Sequence, residues 1–136
     1  MPAAAATHPV RILIADDHEL FAEGLAELLA THPELEVVGR AADGAEAVAL
    51  AAALNPDLVL MDVEMPRLDG ISATREIIAA GGARVLMVSA STEPEVVARA
   101  ERAGAVGYLF KGCALGDMIA AIREAVSPSG LVAHAA

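Results

Sequence analysis

The chain has 136 residues, 56% of them hydrophobic and 2% aromatic, and 19 acidic against 9 basic residues give it a formal charge of −10. That length fits one domain with a real core. The acidity excludes the basic face that duplex DNA requires, and the shortage of aromatics argues against stacking bases or a flavin ring.

Residues 1–9 hold four consecutive alanines and no basic start, so they read as a disordered tail, not a signal peptide or membrane span. A cytoplasmic location is the default expectation. Val10 to Ala15 is a first strand that ends on Asp16-Asp17. From His18 to Ala30 the spacing is helical, with Phe21, Leu25 and Leu28 along one face, and His32-Pro33 stops it. Leu35 to Gly39 is a shorter, more polar strand that suits a sheet edge. Asp43-Gly44 opens an alanine-rich helix over about 45–53, closed by Asn55-Pro56.

Leu58-Val59-Leu60-Met61 is a continuous apolar run, as expected of a strand buried on both faces, and it stops at Asp62. Pro66 and Asp69-Gly70 then shape a loop, and a helix is expected from Ile71 to Ala80, closed by Gly81-Gly82. Val85 to Val88 is a fourth strand that ends on Ser89. A helix near 95–103 follows, capped by Gly104, with Arg99 and Arg102 on a solvated face. Val106 to Phe110 is the fifth strand and ends on Lys111. The last helix, Leu115 to Val126, places Leu115, Met118, Ile119, Ile122 and Val126 on one face, and residues 127–136 read as a tail or the start of a linker.

Strands alternating with helices predict an α/β domain over residues 10–126, a doubly wound parallel sheet with helices on both faces. In such a sheet the carboxyl ends of the strands share one rim, where ligands bind. That rim collects Asp16, Asp17, Asp62, Ser89 and Lys111. Two carboxylates about 4 Å apart repel by roughly 4 kcal/mol at an effective dielectric of about 20. Three of them must therefore protonate or recruit a cation, and hard oxygen ligands suit Mg²⁺. A lysine beside such a metal implies an anion between them, and Ser89 can donate to the same anion. Metal, anion and lysine together describe phosphoryl transfer. With no histidine at a strand end to activate Ser89, a carboxylate is the better nucleophile, and Asp62 is the expected acceptor.

The segments Ile14-Ala15-Asp16-Asp17-His18, Met61-Asp62-Val63-Glu64-Met65-Pro66 with Asp69-Gly70, Val88-Ser89-Ala90 and Gly107-Tyr108-Leu109-Phe110-Lys111 together resemble the receiver domain of bacterial two-component response regulators. The resemblance covers residues 10–126, and the opening and the last segment look most like the NarL/FixJ-type subfamily. It implies a flavodoxin-like (βα)5 fold with strand order 2-1-3-4-5. It also implies that Asp62 accepts phosphoryl from a sensor histidine kinase, and that Asp16, Asp17, Asp62 and the backbone carbonyl of Glu64 hold Mg²⁺. Lys111 would pair with the phosphoryl oxygens. Ser89 would move toward the phosphate, and Tyr108 would swing inward behind it. The partners implied are the kinase and a homodimer formed on phosphorylation, with no DNA or membrane contact by this chain itself.

Two features depart from the family pattern. Gly112 stands where many receivers carry a cis proline, and no helix-turn-helix output domain follows, so the chain reads as an excised or a stand-alone receiver. A Mg²⁺-dependent phosphatase with an aspartyl-phosphate intermediate would want Asp-x-Asp after the first strand, and a flavodoxin-like redox carrier a glycine-rich loop there. A receiver that works by protein contacts alone is a further alternative. Outside the rim cluster, His18 reads as a first-turn helix residue, Cys113 as a small buried filler, and His8, His32 and His134 lack ligand spacing. The expected function is a signalling switch with limited chemistry of its own.

Overall fold

Five strands and five helices alternate along the chain: β1 (Val10–Ala15), α1 (Glu19–Ala30), β2 (Leu35–Ala41), α2 (Gly44–Leu54), β3 (Leu58–Met61), α3 (Gly70–Ala80), β4 (Arg84–Ser89), α4 (Pro94–Arg102), β5 (Gly107–Phe110) and α5 (Leu115–Ala125). The computed structural model describes residues 8–127, so the tails expected over 1–9 and 127–136 fall almost wholly outside it. All strand pairs are parallel and the order is β2-β1-β3-β4-β5. This is the flavodoxin-like arrangement expected from the sequence.

Alternation along the strands builds two cores, one on each face of the sheet. Ile12, Ile14, Leu58, Leu60, Leu86, Val88 and Leu109 face α1 and α5, where Leu25, Leu29, Met118 and Ile122 meet them. Leu13, Ala15, Val59, Met61, Val85, Met87 and Tyr108 face α2, α3 and α4, where Ala47, Ile71, Ile77 and Ala100 close over them. Every residue of β3 is buried, which places the strand that leads to Asp62 at the centre of the sheet.

Three local readings change. β2 runs two residues beyond Gly39, because Arg40 and Ala41 pair with Ile14 and Ala15. Leu115 is 62% exposed and does not join the buried face of α5. It is the first residue of the helix and lies beside Leu20 on α1, short of the point where α5 reaches the sheet. Cys113 is half-buried at the edge of the core, not fully buried.

Asp43 and Asp69 cap α2 and α3 by accepting from the backbone N–H of Glu46 and Ser72. Asp43 also accepts from Arg67 Nε at 3.0 Å, tying the loop after β3 to the start of α2. Arg67 has φ +68, a left-handed conformation that costs a non-glycine residue about 1 kcal/mol or more. A side chain at Gly70 would run into the Asp62 carbonyl, and one at Gly44 into the Leu68 carbonyl, so both helices start hard against this loop.

Asp43→Ala is therefore expected to cost about 1–2 kcal/mol, since it removes a cap and the anchor of Arg67 together. Asp43→Asn, which keeps a capping oxygen, should lose less. Denaturant midpoints of the two variants check this, and equal losses would mean that the cap contributes little.

Candidate functional site

The backbone fixes where the charged groups stand. Asp62 N–H donates to the Ala15 carbonyl at 2.9 Å, prolonging the β1–β3 ladder by one bond. Lys111 N–H donates to the Ser89 carbonyl at 2.7 Å, which does the same between β4 and β5. Asp16 is buried, and its Oδ1 accepts from the His18 backbone N–H at 2.8 Å. Asp17 is exposed and lines a groove of about 600 Å³ that runs past Glu64 and Met65 to Val96 and Arg99 on α4.

Ligand atoms of Asp16, Asp17, His18 and Asp62 lie within 4.8 Å of one another. Lys111 reaches into this cluster with its side chain 13% exposed, its Nζ 2.8 Å from Asp16 Oδ2 and 3.5 Å from Asp62 Oδ2. The same ammonium lies 3.5 Å from His18 Nδ1 and 4.6 Å from the centre of the Phe21 ring. Asp62 is 5% exposed. Burial, and next the charge of Asp16, push its carboxyl up to about 6, while Lys111 pulls the other way.

The expected residues Asp16, Asp17, Asp62 and Lys111 thus meet at one point. The Lys111 ammonium contacts the carboxylates of Asp16 and Asp62 directly. Ser89 is buried at the same rim, with its Oγ accepting from the Ser91 N–H at 3.1 Å. Tyr108, expected to enter on phosphorylation, already lies inside at 3% exposure and donates to the Ser91 carbonyl at 2.8 Å. The Glu64 side chain is exposed. No peptide bond among the described residues is cis, and a side chain at Gly112 would run into the Phe110 ring.

Three residues at the site were not singled out from the sequence. His18, set aside as a helix residue, stands at the start of α1 with its ring toward the cluster. Phe21 was read only as part of the apolar face of α1, and its place over the Lys111 ammonium depends on a contact between residues far apart in sequence that residue spacing does not show. Ser91 acts through its backbone, which leaves no trace in residue type.

Three carboxylates against one ammonium leave about two negative charges, and the donors are hard oxygens. This donor set fits a divalent cation such as Mg²⁺, with Asp16, Asp17 and Asp62 as the side chains that would hold it.

The description "Response regulator receiver domain" matches residues 12–123. The chain is 47% identical over 124 residues to the transcriptional regulatory protein PdtaR of Mycobacterium tuberculosis, covering 91% of this chain and 60% of that one. Among solved structures it is similar to the signal receiver domain of the putative response regulator NarL from Mycobacterium tuberculosis. There the TM-score is 0.84 at 36% identity, with 88% of this chain and 97% of that one covered. A LuxR-family two-component response regulator from Aurantimonas sp. SI85-9A1 gives a TM-score of 0.86 at 35% identity, covering 92% and 89%. The chain spans 53–60% of the length of the first curated relatives it matches.

A raised carboxyl in the folded state weakens folding as pH climbs from the ordinary carboxylate range, 3.8, through about 6, because the folded protein holds the proton that the unfolded chain has released. Asp62→Asn is thus expected to be more stable than wild type by about 1–3 kcal/mol above that range, with the gap closing toward about pH 4. Thermal midpoints across pH check this, and a gap that ignores pH would remove Asp62 as its source. Millimolar Mg²⁺ should raise the wild-type midpoint more than that of Asp62→Asn, since a cation that binds only the folded cluster stabilises it.

Proposed function

Because the chain belongs to the response regulator receiver family, we propose that it is a phosphoacceptor switch in which Asp62 takes a phosphoryl group from a phosphohistidine of a sensor kinase. The observation that carries this reading is the buried Asp62 carboxylate at the end of the central strand, sharing one lysine with Asp16. A carboxylate oxygen of Asp62 attacks phosphorus, the P–N bond breaks, and the electron pair leaves with the imidazole of the donor. Asp16, Asp17, Asp62 and the Glu64 carbonyl would hold Mg²⁺, which when bound neutralises charge developing on the phosphoryl oxygens.

Lys111 already touches Asp62, so it needs only a short move to pair with a phosphoryl oxygen placed there. Ser89 turns its hydroxyl from the Ser91 N–H to the same phosphoryl group. Releasing that bond frees the segment whose carbonyl holds the Tyr108 hydroxyl. The event at Asp62 is thereby passed to the start of α4 as a shift between two packings.

The chain acts as a signalling switch whose own chemistry is to accept and then lose the phosphoryl group. Its output is control of a partner or of an output domain, in transcription, with homodimer formation as one route. A formal charge of −10 suits a chain that leaves DNA contact to another domain, and a cytoplasmic setting is the one in which a sensor kinase would reach it. Among the described residues no helix is long and apolar enough to cross a membrane.

The test is incubation with a small acyl phosphate and Mg²⁺, read by intact mass and oligomeric state. Wild type should gain one phosphoryl group that hydroxylamine removes, and Asp62→Asn should gain none. Label on both proteins would move the acceptor elsewhere, and label on neither would favour a receiver that works by contacts alone. Lys111→Ala should still respond to Mg²⁺ in its melting temperature while phosphorylation no longer changes its assembly. Unchanged assembly control in that variant would contradict the role given to Lys111.

A further inference from the structure

Lys111 has four neighbours at its ammonium, and the chemistry proposed above uses only the carboxylates Asp16 and Asp62. The fourth neighbour is the Phe21 ring, whose centre lies 4.6 Å from Nζ, within the range where an ammonium is attracted to an aromatic face. Phe21 stands on the first turn of α1. It is half-buried at the border of the core and forms one wall of an apolar groove that Leu25, Leu28, Leu115, Met118 and Lys111 itself also line. On packing grounds alone any apolar residue would serve in that wall. The ammonium sets a stricter requirement. Its side chain is 13% exposed, so an aliphatic wall would leave one side of the charge against a surface that offers it nothing.

We propose that Phe21 is a positioning residue for Lys111, its ring face carrying the ammonium as it passes from the carboxylates to the phosphoryl oxygens on Asp62. This rests on the phosphoacceptor reading of Asp62. The ring suits the task because attraction to a π face has no single preferred donor direction, so Nζ can slide over it without breaking a hydrogen bond. A third carboxylate in that place would compete with the phosphoryl group for the lysine. A neutral acceptor would pin the lysine in one place. Phe21 therefore ties the geometry of the reacting group to α1, independently of the path through Ser89 and Tyr108.

The experiment compares wild type, Phe21→Leu, Phe21→Met and Phe21→Tyr. The first two refill the space without a π face, methionine serving should the leucine variant fail to fold, and tyrosine restores the face. Protons on the Cε of Lys111, held above the ring, should show an upfield ring-current shift in the metal-free wild type and in Phe21→Tyr, lost in the other two. The rate of phosphoryl uptake from a small acyl phosphate with Mg²⁺ should fall about tenfold in Phe21→Leu or Phe21→Met and recover in Phe21→Tyr. An unshifted Lys111 signal in wild type, or an unchanged rate in the leucine and methionine variants, would overturn the proposal. A shifted signal in wild type that takes no label at all would overturn the phosphoacceptor reading, and the role of Phe21 with it.

Discussion

One ammonium is shared by the carboxylates of Asp16 and Asp62 at the rim of this sheet, with Asp17 beside them, and the backbone does not let the shared pair move apart. The hydrogen bond from Asp62 N–H to Ala15 fixes one acid against the end of β1, and the His18 N–H holds the carboxylate of Asp16. The bond from Lys111 N–H to Ser89 sets how far the lysine reaches. The charge imbalance is therefore built into the ladder and can be relieved only by a proton or a cation. Burial and the neighbouring acid raise the Asp62 carboxyl to about 6, so at neutral pH the site is largely ionised and short of positive charge. A carboxylate in that condition destabilises the fold and is available as a nucleophile for the same physical reason.

On the proposed reading, rigid and movable parts are sharply divided. The floor is rigid: β3 is buried over its whole length, and α3 starts so close to the Asp62 carbonyl that only glycine fits at position 70. The loop between them carries Arg67 in a left-handed conformation, and Asp43 holds it from the first turn of α2. The movable groups are the Lys111 ammonium and the Ser89 hydroxyl. Each is held by bonds that a phosphoryl oxygen could replace. Ser91 bonds to Ser89 through its N–H and to Tyr108 through its carbonyl, so a turn of the Ser89 hydroxyl reaches the buried Tyr108 ring on β5 through one intervening residue.

The acids and the lysine were legible because strand ends are legible: apolar runs of four to six residues stop at Asp16, Asp62, Ser89 and Lys111, and a parallel sheet brings such ends together. Helix spans agreed to within a residue or two because Asp43, Asn55, Asp69 and Gly81 act by local backbone chemistry. What the residue pattern could not carry was rotamer and reach. It could not show that the Lys111 ammonium lies 2.8 Å from Asp16. It counted Leu115 with the core by periodicity, but a first helical turn can precede the point where a helix meets its sheet. Nor could it show that the Tyr108 hydroxyl finds a partner within the fold, at the Ser91 carbonyl.

Glycine at position 112 leaves room for the outer edge of the Phe110 ring. The Phe110 ring lies over the residue after Lys111, where a Cβ would meet it. That ring is half-buried and borders the segment that carries the lysine. A larger residue at 112 would turn the outer edge of the Phe110 ring aside, next to the lysine on which the proposed chemistry depends. Glycine lets the chain turn beneath the ring with a trans bond and leaves the end of β5 in register with Ser89. Two aromatic rings thus flank the lysine, Phe21 at its ammonium and Phe110 at the backbone that carries it.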